Sequence, residues 1–298
     1  MKKITRMLLF ALATCIIAVG AHIYYLSTLA ATEKYPSDTY LATATNKVAL
    51  IITAHDDDAI GSAGTIAQLC ADGWTIRDRC FFEEAGLYAA KNAAKNPLRK
   101  EALRTVAALQ GLAGVDPVDF NYRHDSMTEK AYMPMPYEKF AANYDLDSLS
   151  GYIASYIEQY KPSVIFTLDE VMGGYGNPDH VVISQLVLKY CLLHRGDPGF
   201  PVERIYQPVF PPSLSKNIFK GNPTYAAAME VYQCEGMPMP DVEVKITAQA
   251  SLKKKAMMTY TTEQNSIKKI WPYYNRYPAW IYFRIFDRDF FRVINLKK

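Results

Sequence analysis

The stretch VALIITAHDDDAIGSAGTIAQL (48–69) decides the fold. Residues 48–54 are a short, unbroken apolar run, as a strand covered on both faces of a parallel sheet requires. Residues 61–72 then place small and apolar side chains at helical spacing and stop at Gly73. Between them stand a histidine and three consecutive carboxylates: His55, Asp56, Asp57 and Asp58. Adjacent negative charges repel one another and favour water, yet these follow directly on a buried strand.

The same rhythm continues outward. TIRDRCFF (75–82) reads as the next strand, and PLRKEALRTVAALQGL (97–112) as an amphipathic helix with proline at its start. VDFNYR (118–123) is a candidate third strand, and 145–161 a helix ended before Pro162. SVIFTLD (163–169) is a strong strand, DHVVISQLVLKYCLLHR (179–195) a helix, and ERIYQPVF (203–210) a further strand. Strands alternating with helices predict an α/β fold whose sheet is mostly parallel and flanked by helices. Residues 252–269 read as helical. The tail 271–298 alternates aromatic and charged residues, as one or two late strands would. An edge hairpin packed on the core and a sugar-binding aromatic platform both fit it.

The chain has 298 residues, enough for one large domain or two small ones. Its net charge is only +3, with no basic stripe interleaved with aromatics, so no nucleic acid is expected. MKKITR followed by the apolar run 7–21 has the pattern of a secretory signal or an uncleaved anchor over residues 1–30. Thr28 and Ala30 offer a site to a signal peptidase, and LATC around Cys15 fits a lipid-attachment site poorly. The positive charges keep MKKITR in the cytoplasm and send the rest across. An exported protein, periplasmic or membrane-anchored, is the expectation. Residues 31–46 read as a linker, and 47–298 as the domain. Cys70, Cys80, Cys191 and Cys234 permit disulfides in an oxidising compartment or stand as buried free thiols.

In open α/β sheets, ligands bind outside the carboxyl ends of the strands. Strand 48–54 delivers His55–Asp58 there, and strand 163–169 leads into EVMGGYGNPDH (170–180). A dication makes the clustered carboxylates tolerable. His55, Asp58 and His180 suit Zn²⁺ with an open position for water, or Fe²⁺ in a facial triad. Asp57 is then free to take a proton from a water activated by the metal. The alternative is structural: Asp57 and Asp58 cap the following helix, Asp179 caps the next, and His180 lies on the surface.

AHDDDAIGSAGTIAQL resembles the AHPDDE signature of the PIG-L/LmbE-like N-acetylglucosaminyl deacetylases, and GYGNPDH resembles that family's G-x-x-HPDH motif. RKEALRTVAALQG (99–111), YRHDS with Asp125, and KKKAMMTYTTEQ (253–264) extend the resemblance over roughly 47–265. The resemblance implies a Rossmann-like domain and a zinc-dependent amidase acting on an N-acetylated sugar or glycoconjugate. It implies His55, Asp58 and His180 as metal ligands, Asp57 as general base and Asp179 as support for the neighbouring catalytic group. Arg99 and Asp125 fall near the family's substrate-binding arginine and aspartate. Three positions depart from the pattern. Asp56 replaces the proline of AHPDDE, and Ala59 its glutamate. Asn177 replaces the first histidine of HPDH; its amide can donate to an oxyanion but cannot deliver a proton. Tyr175 could add a hydroxyl there.

An exported de-N-acetylase is therefore the leading expectation. An O-acetyl esterase using the same metal and base, and a metal-bearing glycan-binding protein with weakened catalysis, are the alternatives. A serine hydrolase is disfavoured, because no GxSxG elbow stands near a strand end.

Overall fold

The computed structural model describes residues 2–82, 93–124 and 131–297. Its strands are β1 (Val48–Thr53), β2 (Thr75–Phe82), β3 (Gly114–Val115), β4 (Val118–Asp119), β5 (Val164–Phe166), β6 (Arg204–Pro208), β7 (Val242–Lys245) and β8 (Arg288–Asn295). They form one mixed sheet in the order β3-β2-β1-β5-β6-β8-β7, with β4 also paired to β2. The pairings from β3 through β6 are parallel, and β8 is antiparallel to both its neighbours. The α/β expectation holds.

β1 shows why its sequence is apolar throughout. Ala49 and Ile51 face Ile66 and Leu69 of the helix Ala63–Ala71. Leu50 and Ile52 face the opposite layer, Leu149 and Ile153 of Leu146–Tyr160 and Val182 and Ile183 of Pro178–His194. With helices on both faces, neither side of the strand can be polar. Local signals bound the helices. Gly111 closes Asn96–Gln110 in the left-handed conformation, φ 82°. Asp145 caps Leu146–Tyr160 by accepting from the Ser148 N–H at 3.0 Å.

Three expectations need correction. VDFNYR contributes only the two residues of β4. SVIFTLD yields only β5, because the buried Asp169 carboxylate turns the chain by accepting from the N–H groups of Val171, Met172 and Gly174. The aromatic tail forms no edge hairpin. Pro278 starts a helix, Ala279–Ile285, and the single strand β8 inserts between β6 and β7. Most of its aromatics are core: Tyr274, Tyr282, Phe283 and Phe291 are fully buried, which removes them as a sugar platform.

Residues 31–46, expected as a linker, lie on the domain. Arg288 donates to the carbonyls of Ala31 and Glu33, Glu243 accepts from the Tyr35 N–H, and Leu41 is buried. All five cysteines are free thiols.

Candidate metal centre and active site

β1 and β5 are neighbours, but the chain leaves them in opposite directions, toward β2 and toward β6. This is the switch point where such sheets open a crevice. The loops leaving β1 and β5 meet there.

After β1 the chain turns tightly. The Asp58 carboxylate accepts from the His55 N–H at 2.8 Å, and a 3-10 turn, Asp58–Ser62, precedes the helix Ala63–Ala71. Asp57 makes no side-chain cap, so the structural alternative for it fails. On the other loop, Asn177 is the cap of Pro178–His194. Its Oδ1 accepts from the Asp179 N–H at 3.0 Å, which leaves the Nδ2 amide as its donor. Asp179 is therefore not the cap, and His180 is buried rather than on the surface.

Three donor atoms converge. His180 Nε2 lies 2.8 Å from His55 Nδ1 and 3.1 Å from Asp58 Oδ1, and His55 Nδ1 is 3.7 Å from Asp58 Oδ1. Together His55, Asp58 and His180 could hold a metal ion. The outer atoms are already oriented. His180 Nδ1 faces the Gly173 carbonyl at 2.9 Å, so it carries the proton and Nε2 is the free lone pair. His55 Nε2 faces Asp179 Oδ2 at 3.5 Å, which leaves Nδ1 for an ion. Burial works against an ionised Asp58, but His180 and His55 outweigh it and hold the carboxyl well below its usual range. Burial likewise works against a charged His55, and Asp58 and Asp179 override it and raise its pKa. The pocket thus favours positive charge at the point where these donors meet.

Around this centre the remaining carboxylates are sorted by their partners. Asp179 accepts from Arg123 at 2.8 Å and from the Tyr144 hydroxyl at 2.6 Å. Burial opposes its charge, but Arg123, His55 and Tyr144 prevail and hold it well below the carboxylate range. Asp57 is different. Burial pushes its carboxyl up to about 7, with Arg99 opposing and Asp56 and Asp58 adding. Its side chain remains 23% exposed, in reach of the crevice.

Arg99, expected at the substrate, is engaged from within. Its Nε donates to Asp56 Oδ1 at 2.7 Å, and its Nη2 pairs with Asp56 and reaches Asp57 Oδ1 at 3.4 Å. Asp56 is buried, and Tyr260 donates to its carbonyl at 2.7 Å. The carboxylate that replaces the motif proline is thus paired with a guanidinium. Tyr175 packs edge-on against His180, ring centroids 5.3 Å apart. Asp125 lies outside the described residues.

Arg123, Tyr144 and Gly173 escaped the sequence. Arg123 sits two residues before Asp125, and Tyr144 one before a helix cap; neither position has a local signature. Gly173 has φ 55°, and a Cβ there would stand 2.5 Å from His180 Cβ and 2.9 Å from the Val181 nitrogen. Gly173→Ala is expected to cost about 1–3 kcal/mol through overpacking, with further backbone strain, and to weaken metal binding by displacing His180. Thermal melts and a metal titration check both; unchanged metal affinity would refute the link.

Residues 50–191 match the family model described as PIG-L, GlcNAc-PI de-N-acetylase. A 1D-myo-inositol 2-acetamido-2-deoxy-alpha-D-glucopyranoside deacetylase of Nakamurella multipartita is 28% identical over 266 residues, covering 79% of this chain and 88% of the relative. Deacetylase 1 of that name from Catenulispora acidiphila is 27% identical over 167 residues, 52% of this chain, and the match spans 50% of that relative's length. The solved N,N'-diacetylchitobiose deacetylase of Pyrococcus horikoshii has the same fold, with a TM-score of 0.52 at 16% identity over 85% of each chain. The matched segment begins in β1 and runs into the helix that carries His180, so both loops of the crevice lie inside it: residues 50–191 of this chain are a PIG-L family domain.

Proposed function

We propose that this chain is a zinc-dependent hydrolase that removes the N-acetyl group from an N-acetylglucosamine-type sugar or glycoconjugate. The observation that carries it is the convergence of His55, Asp58 and His180 beside a carboxylate, Asp57, whose charge is poised near neutrality. The names of the relatives support an acetamido sugar as substrate. Two imidazoles and one carboxylate are a donor set that suits zinc. A dication held there supplies Lewis acidity toward the amide carbonyl and lowers the pKa of a bound water.

The chain's own groups do the rest. Asp57 takes the proton of the attacking water and returns it to the leaving amine, a role that requires a carboxyl titrating near the working pH. Asn177 Nδ2 donates to the developing oxyanion. Asp179, fixed by Arg123 and Tyr144, holds the His55 ring from its far side. Arg99 pairs with the buried Asp56, and Asp57 has the most accessible side chain of the three acids. The basic start and the apolar helix that follows it support a location of the domain outside the cytoplasm.

Acetate release from a panel of N-acetyl and O-acetyl sugars, with zinc or iron restored, is the test. Release from N-acetyl sugars supports the proposal. Release from O-acetyl sugars alone would replace it with an esterase, a reading favoured by the absence of an acidic proton on Asn177. No release from either would leave a metal-bearing binder.

Asn177→Asp separates cap from catalysis. Aspartate caps a helix as well as asparagine does, so the melting temperature is expected to hold. The donor is lost, and kcat is expected to fall about 10²–10³-fold. An unchanged kcat would exclude Asn177 from the oxyanion.

A further inference from the structure

The N-terminal helix divides into two lengths. It runs from Lys2 to Leu29, and residues 3–21 are exposed at every position. Those nineteen residues include Leu8, Leu9, Phe10, Ile16 and Ile17, and the helix has a mean hydropathy of 2.1 in its most apolar window. At 1.5 Å per residue the exposed length spans about 28 Å, close to the roughly 30 Å hydrocarbon core of a bilayer. At His22 the environment changes. The ring stacks on Tyr277, centroids 5.6 Å apart, meets Tyr273 edge-on at 4.7 Å, and its Nδ1 lies 2.6 Å from the Tyr277 hydroxyl. Leu26 is fully buried in the core formed with Tyr260, Trp271 and Tyr282, and Ala30 joins the same cluster. Asn217 donates to the carbonyls of Thr28 and Leu29, which the helix end leaves without internal partners.

We propose that the helix is a retained anchor whose last two turns belong to the folded domain, and that the face around Tyr277 rests on the lipid surface. Cleavage after Ala30 would strip Leu26 from the core and His22 from its aromatic seat. The surrounding face has the composition of a membrane interface. Tyr24, Tyr25, Tyr273 and Trp280 are exposed. Arg276 lies over Tyr273 and Arg284 over Trp280, each 5.9 Å from the ring centroid. Aromatic side chains concentrate at the headgroup level, and cations beside them are drawn to anionic lipid. Trp280 is 63% exposed and stands three residues after Tyr277 in the chain. An indole so placed needs an apolar surface that the exposed stretch of the helix implies. The occupant is therefore a bilayer, and the domain is seated on it in one orientation, not carried on a free tether. This inference is independent of the hydrolase proposal.

Trp280 is its own reporter. The other tryptophans, Trp74 and Trp271, are buried. The full chain is reconstituted in vesicles of phosphatidylcholine and phosphatidylglycerol containing lipid brominated near the headgroup end of its acyl chains. Quenching of the tryptophan emission, lost in Trp280→Phe, is the expected result. Intact mass of the protein recovered from the producing cell's membrane is expected to include residues 2–30. A mature chain starting after Ala30 would overturn the proposal. So would a membrane-held chain whose Trp280 is unquenched, the outcome if a partner protein or a second copy covers this face.

Discussion

Replacing His180 by alanine is expected to empty the metal centre and to reduce acetate release by about 10³-fold or more, because the Lewis acidity of a bound dication is worth several kcal/mol. His180 is the hinge of the donor set. Its Nε2 touches both other donors, and its Nδ1 is locked on the Gly173 carbonyl. Alanine leaves two donors, and two do not make a structured zinc site. The measurement is metal content per chain beside kcat/KM. Exhaustive chelation of the unaltered protein is expected to reproduce the loss, and zinc to reverse it in that protein but not in the variant. His194→Ala is the control: that ring lies on the surface, bonded to Asp197, and both readouts are expected to hold. A His180→Ala protein with full metal and full turnover would sink the assignment.

Asp57→Asn is expected to behave in the opposite way. Metal content stays, and turnover falls about 10²–10⁴-fold, the range for removing a positioned general base. The exchange is nearly isosteric, and Arg99 keeps its pair with Asp56, so the fold does not change. The pH profile adds a second readout. A carboxylate base is active when ionised, so kcat/KM rises as pH climbs through its pKa. Burial raises the Asp57 carboxyl to about 7 in the metal-free protein, and a nearby cation favours the ionised form, so the acid limb falls below that value. The limb is expected to vanish in Asp57→Asn. A profile unchanged in shape would assign the base elsewhere.

How much of this the sequence discloses follows from the range of each interaction. β1 and the order of elements are written in neighbouring residues, and they are legible. The two ligand loops are legible for the same reason: each motif is local, and the sheet topology brings them together. What is not legible comes from residues that meet only in the fold. Arg99 seemed a free substrate group because nothing in its helix shows Asp56 and Asp57 opposite. Arg123 and Tyr144 reach Asp179 from separate segments. The tail misled through its alternation: AWIYFRI satisfies a period of two and a helical period at once, and Pro278 together with burial of Tyr282 and Phe283 decides for the helix.

β8 has a further consequence, in time. It leaves the ribosome after the other seven strands of this sheet, yet it pairs Arg204 with Asn295 and Val242 with Phe291 inside the sheet. Until it emerges, β6 presents an open edge and β7 has no strand to join. Arg288, at its start, is also the group that secures Ala31 and Glu33. The apolar helix is thus synthesised before the sheet, but its seat is completed only with β8. With the helix held in a bilayer as proposed, insertion precedes docking, and the sheet closes on a chain already tethered through this helix. Tethering keeps apart the open edges that would otherwise pair between chains, during a stage that long-range strand pairing makes slow.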